Sequence, residues 1–149
     1  MQRNRIGTIV LIAAIAGCSP QDHLKPAPQP LPYIAIEKPS PPGQTRIMLT
    51  ARIRGRFVID DECVRIKAGK SLFTPIFYDG TRIDRDTEGL FVQDAETAIR
   101  FRNGDRFVGG GGEMPADHLK ELRLASSPIP QACQGKMGTI NPGLQRAQR

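Results

Sequence analysis

TAIRFRNGDRFV, residues 97–108, is the stretch that decides the fold. Ile99 and Phe101 alternate with arginines, which is the two-residue period of a strand that buries one face. The Asn-Gly pair at 103–104 then predicts a tight turn, because both residue types tolerate the positive φ that a two-residue hairpin requires. The stretch therefore predicts a β-hairpin.

Similar patterns precede this stretch. Residues 45–54, TRIMLTARIR, alternate in the same way, and Gly55 is expected to break or bulge that strand. Strands are also predicted at 56–59 and 63–67, joined by the acidic turn 60–62 and with Val64 and Ile66 pointing inward.

The middle and the end of the chain give weaker signals. Pro75 makes 71–78 an expected edge strand, and Asp79-Gly80 predicts a hairpin into 81–83. After an apolar piece at 90–93, glycines 109–112 are expected to end the last strand as a flexible exit. A short helix is predicted over 114–124, with Leu119 and Leu122 on one face, and a frayed end from Asn141.

About six short strands and one short helix predict a mainly β fold. The expected architecture is a small antiparallel barrel, OB-like or SH3-like, over residues 45–135. Cys63-Val64-Arg65-Ile66, Gly104-Asp105 and the glycines 109–112 resemble uncharacterised small-barrel domains of bacterial surface proteins. This resemblance implies a fold and no activity.

Length and charge exclude several classes of protein. A chain of 149 residues holds one small domain, and 13 prolines with 15 glycines exclude a mostly helical fold. The formal net charge is +6, but residues 45–135 hold 14 basic against 13 acidic side chains. A nucleic-acid partner is therefore not expected, although Arg52, Arg54, Arg56, Arg100, Arg102 and Arg106 form a basic face if the fold brings them together.

The N-terminus has the features of an export signal. Two arginines precede an apolar run at 6–16, which is shorter than the roughly 20 residues that a membrane-spanning helix needs. The run ends in Ile15-Ala16-Gly17-Cys18, which resembles the lipobox of bacterial lipoprotein precursors. An uncleaved hydrophobic anchor with an incidental cysteine is the alternative.

The lipobox resemblance implies processing at this site. Cys18 would carry a diacylglycerol thioether after cleavage between Gly17 and Cys18, and the acyl chains would hold the protein on a membrane. Ser19 implies the outer membrane, facing the periplasm, if the host is Gram-negative. The resemblance implies nothing about activity.

These features divide the chain into four parts. We expect a signal peptide at 1–17, a lipidated, proline-rich, disordered tether at 18–44, the barrel at 45–135 and a flexible basic tail at 136–149. The tether holds eight prolines, and the barrel is expected to fold without it. A spacer is favoured over a ligand for a proline-recognising partner.

The cysteines predict a disulfide. If lipid consumes Cys18, then Cys63 and Cys133 remain, and an exported pair commonly forms a bridge. A metal site with His118 lacks supporting spacing. The acidic residues Asp84, Asp86 and Glu88 resemble the start of a calcium loop, but Ala95 stands where the closing Glu belongs. No metal or cofactor is predicted.

Two functional interpretations remain from the sequence. The first is a non-enzymatic, membrane-anchored envelope protein that binds a protein or polymer or has a structural role. The second is an OB-like binder of an oligomeric ligand, either a glycan or a nucleic acid. Arginines and exposed aromatics on one barrel face would favour the second, whereas dispersed arginines and an apolar patch would favour the first. A catalytic role has little support, because no nucleophile–base motif is present.

Overall fold

The alternating segments of the sequence pair into a ring of strands. The computed structural model describes residues 29–43, 48–115, 118–120 and 122–148. Ten strands lie within these ranges: β1 Ala35–Ile36, β2 Ala51–Ile59, β3 Val64–Ala68, β4 Ser71–Phe77, β5 Arg82–Asp86, β6 Gly89–Gln93, β7 Arg100–Arg102, β8 Arg106–Glu113, β9 Met137–Ile140 and β10 Gln145–Arg146.

Five of these strands close a barrel. The ring runs β2, β3, β4, β9, β8 and back to β2, and its β4–β9 pairing is parallel whereas the others are antiparallel. Strands β5, β6 and β7 form a separate antiparallel sheet. The prediction of a mainly β fold with a small barrel is therefore confirmed, with one parallel joint that the sequence did not indicate.

Phenylalanine rings fill the barrel. Phe57 is fully buried, and its ring centroid lies 5.0 Å from that of Phe101 and 5.2 Å from that of Phe107. Phe101 and Val92 bring the three-stranded sheet into the same core, since both are buried in this cluster. Val64 and Ile66 point inward as predicted.

The glycines of the barrel are sites of close approach. Strand β2 runs unbroken through Gly55, which pairs with Phe107, so the predicted break is wrong. A glycine is needed there because a side chain would meet Ile66 and Phe107. Glycines 109–112 lie inside β8 and do not end it. A Cβ at Gly111 would collide with the backbone oxygen of Thr139, and one at Gly109 with Leu144, so the string accommodates the C-terminal segment rather than serving as a flexible exit.

Part of the expected tether belongs to the folded domain. The backbone N–H of Tyr33 donates to Glu62 O (2.8 Å), and the N–H of Val64 donates to Tyr33 O (3.0 Å). Two residues later β1 pairs in parallel with β4, Ala35 opposite Ile76. The prediction of a disordered tether over 18–44 is therefore wrong for residues 33–37, which join β3 to β4.

This insertion explains why Pro75 does not mark an edge. Strand β4 pairs with β3 up to Phe73, with β1 from Ile76 onward, and with β9 from Thr74 to Phe77. Pro75 lies between the last β3 pair and the first β1 pair, where the missing N–H removes no bond from either ladder. The strand is internal, and the edge prediction is wrong.

Two predicted hairpins are turns that change sheet. The chain turns at Asp79-Gly80, with the N–H of Thr81 donating to Tyr78 O (3.2 Å), but β5 then pairs with β6 and not with β4. The turn at Asn103-Gly104 is also present, yet β7 pairs with β6 whereas β8 pairs with β2. The positions of the turns were therefore right, although only the glycine of each pair has a positive φ. The pairing was wrong, because each turn ends one sheet and begins the other.

The predicted helix over 114–124 is absent from the described part of that span, which holds one short 3₁₀ helix at His118–Lys120; a second lies at Gln131–Cys133. The chain around Leu124 and Ala125 runs along β1, with the N–H of Ala125 donating to Ile36 O (2.7 Å). Leu119, Leu122 and Leu124 pack over a second small core around Ala35, Ile76 and Met137. Covering β1 needs an extended segment rather than a helix.

The C-terminal segment is not a frayed tail. Strand β9 is buried throughout and completes the barrel, and Leu144 is 1% exposed. The barrel therefore continues past residue 135 to β10, and the expected flexible tail at 136–149 is wrong for residues 137–146. The sequence pattern failed because both neighbours of Thr139 in β9 are buried, which removes the alternation of a half-exposed strand.

Candidate functional site

The outer face of β2 carries a line of arginines. Arg52, Arg54 and Arg56 occupy alternate positions and are exposed, whereas Phe57 lies on the inner face and is fully buried. Successive side chains of a strand point to opposite faces, so the three guanidinium groups lie on one side of the barrel. This part of the basic face was visible in the sequence.

Register adds two more cations to the same face. Arg56 lies opposite Lys67 of β3 on one side and opposite Arg106 of β8 on the other. Directly opposed residues have Cβ atoms about 4.5–5.5 Å apart, and like charges in such positions destabilise a sheet. Lys67, Arg56 and Arg106 are called the cation row below.

The cation row lies beside an open cleft of about 410 Å³. Gly69, where a Cβ would meet no other atom, leaves space beside the long side chains, and Arg54 joins the row as a fourth lining cation. Ala147 and Gln148 form one wall, held there because the N–H of Ala147 donates to Arg106 O (3.1 Å). We call this feature the basic cleft.

The basic cleft has no acidic lining among the residues that the structure describes. Within the same residues, no ion pair joins a carboxylate to Arg54 or to a member of the cation row. Asp105, adjacent to the row in sequence, pairs with Arg146 (3.0 Å) and accepts the N–H of Arg102 (2.8 Å). The positive charge of the cleft is therefore uncompensated by described side chains.

Arg100 and Arg102 do not join the cleft. They lie on β7, and both reach Asp86, with Arg102 at 2.8 Å and Arg100 at 3.3 Å. The hydrogen bond from Arg102 lowers the pKa of Asp86 below its ordinary value, and the same bond raises the pKa of Arg102. Arg100 also stacks over the Phe91 ring at 4.5 Å. Of the six arginines that the sequence marks, four are on the basic face and two are in this separate ion-pair cluster.

Aromatic side chains are absent from the exposed surface of the described chain. Phe57, Phe77, Phe91, Phe101 and Phe107 are buried. Tyr78 is buried too, and Tyr33 and Phe73 are half-buried. Burial raises the pKa of the Tyr33 phenol, which donates to Ser126 O (2.9 Å). Phe107 lies at the basic cleft but is fully buried, so the face that carries the arginines has no exposed ring on which bases or sugar rings could stack.

The predicted disulfide is present. Cys63 and Cys133 are bonded, with their Cα atoms 5.7 Å apart, and both residues are fully buried. The bridge fastens the 3₁₀ helix Gln131–Cys133 to the residue that precedes β3. It also excludes a metal site with His118, for which the sequence gave no supporting spacing, because neither sulfur remains as a thiolate.

The acidic clusters are engaged in local bonds. Asp60 accepts the N–H groups of Glu62 (3.0 Å) and Cys63 (2.7 Å), which defines the predicted turn. Asp86, the centre of the calcium-like run, is held by Arg100 and Arg102. Across the described residues, no group of three metal-ligating side chains is placed to hold an ion.

The lipobox lies outside the described residues, so Gly17 and Cys18 have no place in the structure. Within the described ranges, no helix has the length and apolar character needed to cross a membrane. Searches against protein-family models, curated proteins and solved structures found nothing that matches this chain.

Sequence reasoning missed two components of the basic cleft. Lys67 joins it only through the β2–β3 register, which depends on the length of the turn between those strands. The wall at Ala147 and Gln148 depends on β10, two residues of a segment that lacks apolar periodicity. The available signal was the alternation of arginines in β2, and it located half of the cleft.

Proposed function

We propose that this protein is a lipid-anchored envelope protein whose barrel is a non-enzymatic binding module. The observation that carries the proposal is the Cys63–Cys133 disulfide. Disulfides form and persist in oxidising compartments, so the bond supports export. It also uses two of the three cysteines and leaves Cys18, the cysteine of the lipobox, for the lipid.

The anchor would hold the barrel close to the membrane. Ten residues lie between Cys18 and Gln29, where the described chain begins, and the eleven steps from one Cα atom to the next span at most about 40 Å. Ser19 supports placement in the outer membrane, facing the periplasm, in a Gram-negative host. Residues 33–37 belong to the fold, so only the preceding part of the proline-rich stretch is left as a spacer.

A binding role is favoured over catalysis by the chemistry of the described residues. Cys63 and Cys133 are oxidised and buried, so neither offers a thiolate nucleophile. Phenylalanine rings fill the barrel interior, which leaves the outer surface to meet a partner. The uncompensated basic cleft is the surface feature best suited to that role.

The second candidate is an OB-like binder of an oligomeric glycan or nucleic acid. Convergence of Arg52, Arg54, Arg56 and Arg106 on one face favours it. Burial of the aromatic side chains weighs against recognition of bases or sugar rings, because both depend on stacking. The two candidates are compatible if the envelope protein uses its basic cleft to bind an anionic chain.

Metabolic labelling with an alkyne fatty acid tests the anchor. Wild-type protein should take up label at Cys18 and fractionate with membranes, whereas Cys18→Ser should lose both properties. The double variant Cys63→Ser/Cys133→Ser is the matched control and should keep the label. Equal labelling of wild type and Cys18→Ser would refute lipid attachment there.

Thiol counting tests export independently of the lipid. Denatured, unreduced protein isolated from the envelope should show no free thiol at Cys63 or Cys133, since these two cysteines are bridged. Free thiols at Cys63 and Cys133 in freshly isolated protein would contradict the oxidising location.

A further inference from the structure

We propose that the basic cleft binds a linear phosphodiester polymer of the envelope, a chain of phosphate groups that carries no bases. This proposal deepens the binding role proposed above and rests on it for the location of the ligand. It concerns Arg54, Arg56, Lys67 and Arg106, the four cations that line the cleft.

The charge of the cleft indicates an anionic ligand. Arg56 stands between Lys67 and Arg106 in the cation row, and no described carboxylate forms an ion pair with any of the three. Such a row repels itself, and a bound anion removes that repulsion. Guanidinium groups also match phosphate in geometry, since their planar fork donates two parallel N–H bonds.

The spacing of the arginines along β2 indicates a chain of anions rather than a single ion. Arg54 and Arg56 line the cleft two residues apart, and Arg52 continues the same spacing beyond the lining; two residues of extended strand span about 6.7 Å. Consecutive phosphorus atoms in a glycerol phosphodiester are separated by six bonds, the same number as in a two-residue step of backbone. An extended chain of six such bonds spans about 7 Å, so successive phosphates match successive arginines.

The shape of the site favours a polymer over a membrane surface. The cleft is an open recess with a wall on one side, formed by Ala147 and Gln148, and Gly69 adds no side chain to it. A single polymer chain can enter such a recess, whereas a planar array of lipid headgroups meets its rim first. Anionic lipid is therefore the alternative that the experiment must separate.

The absence of exposed aromatics disfavours nucleic acid. A nucleic-acid backbone also has six bonds between phosphorus atoms, so phosphate spacing does not distinguish the two polymers. Non-specific binders of single strands stack bases on aromatic side chains, which contributes about 1–3 kcal/mol per base. All eight aromatic residues of this chain lie within the described ranges, and none of them is exposed. A polymer without bases does not depend on stacking, so the lack of exposed aromatic rings does not weaken its binding to this face.

Fluorescence anisotropy with a labelled glycerol phosphate oligomer tests the proposal. The protein is the full chain in detergent with its disulfide formed, so the measurement does not depend on the lipid. Binding should weaken about 20- to 50-fold between 50 and 200 mM salt, as expected for release of counterions from three or four phosphates of a single strand.

The decisive comparison uses two variants of equal net charge. Arg54→Gln/Arg56→Gln/Arg106→Gln should bind the oligomer at least about tenfold more weakly and with a shallower salt dependence. The control Arg82→Gln/Arg85→Gln/Arg123→Gln removes three exposed arginines that do not line the cleft and should bind as wild type does. Thermal melts establish that both variants are folded.

Three results would overturn the proposal. The first is equal affinity of the two triple variants for the oligomer, and the second is binding of anionic phospholipid vesicles without binding of the oligomer. The third is tighter binding of a thymidine oligonucleotide than of a glycerol phosphate oligomer with the same number of phosphates. Thymidine binding that is equal or weaker supports recognition of the phosphate chain alone. If Cys18 carries no fatty acid, the binding results are unchanged. Lipid attachment and polymer binding in the basic cleft can therefore be refuted independently.

Discussion

The side chain of Asp94 accepts the backbone N–H of Leu144 at 3.3 Å, which joins the turn after β6 to a segment fifty residues further along the chain. The same carboxylate accepts the N–H groups of Gly143 (3.0 Å), Thr97 (2.8 Å) and Glu96 (3.1 Å). Asp94 is 4% exposed. Through this buried carboxylate, the C-terminal segment is part of the domain.

Asp94→Ala should lower the free energy of unfolding by about 3 kcal/mol or more, because buried N–H groups lose a charged acceptor. Chemical denaturation measures the loss, and hydrogen exchange should show faster exchange at Gly143 and Leu144. Asp84→Ala is the control, since Asp84 is exposed and accepts the N–H of Arg85 next to it. We expect that variant to lie within about 0.5 kcal/mol of wild type. Similar losses in both variants would contradict a structural role for Asp94.

Adjacent glycines in β8 should differ in their tolerance of alanine. A Cβ at Gly111 meets the backbone oxygen of Thr139, which cannot move without shifting β9, so Gly111→Ala should cost about 2 kcal/mol or more. A Cβ at Gly112 meets the Cδ1 atom of Leu49, the end of a flexible side chain, and should cost about 1 kcal/mol or less. Urea unfolding of the two variants checks the order, and a larger loss at Gly112 would contradict it.

A chain truncated to begin at residue 44 should not fold to the native barrel. It lacks β1, which leaves the ends of β3 and β4 unpaired and exposes the core around Ile76. A chain that begins at Gln29 should give the dispersed amide NMR spectrum of the intact protein, because it keeps every described contact. Ala35→Glu, which places a charge at a fully buried position, should mimic the truncation. Native-like spectra for the shorter chain would contradict this prediction and show that the barrel folds without residues 33–37.

Arg56→Gln should leave the domain as stable as wild type or more stable, by up to about 1 kcal/mol, since it removes the central charge of the cation row. The gain should shrink at high salt, because screening already weakens the repulsion. Urea unfolding at two salt concentrations measures both effects. Arg123→Gln, which removes an exposed charge outside the row, should change stability little. A clear loss of stability in Arg56→Gln would show that Arg56 has a stabilising partner.

The ion-pair cluster on β7 should respond to acid. The hydrogen bond from Arg102 lowers the pKa of Asp86, so the folded chain binds this proton at lower pH than the unfolded chain does. The stabilisation is therefore complete above the unfolded pKa, about 3.9, and is lost as the pH falls through the folded value. In a carboxyl NMR titration, Arg102→Gln should raise the pKa of Asp86, whereas Arg82→Gln should leave it unchanged. An unchanged value in Arg102→Gln would refute this cause.

Much of the local structure could be predicted from the sequence. The two-residue period located the cores of β2, β3 and β7, and the arginines of β2 already lay on one predicted face. The chain turns at Asp79-Gly80 and at Asn103-Gly104 as predicted, and the two cysteines other than Cys18 are paired. The strands and turns depend on neighbouring residues, and the cysteine pair follows from the number of cysteines. No knowledge of distant contacts was therefore needed.

Pairing partners and register were decided by the tertiary structure. Strand β9 has no exposed face to mark it, β1 lies in a proline-rich stretch, and β10 is two residues long. Each forms because neighbouring strands offer unpaired backbone groups, and burying those groups unpaired would be costly. The cation row has the same origin, since Lys67 and Arg106 meet Arg56 only after β3 and β8 pair with β2. The sequence alone determined which residues alternate, whereas the closure of the barrel decided which of them face one another.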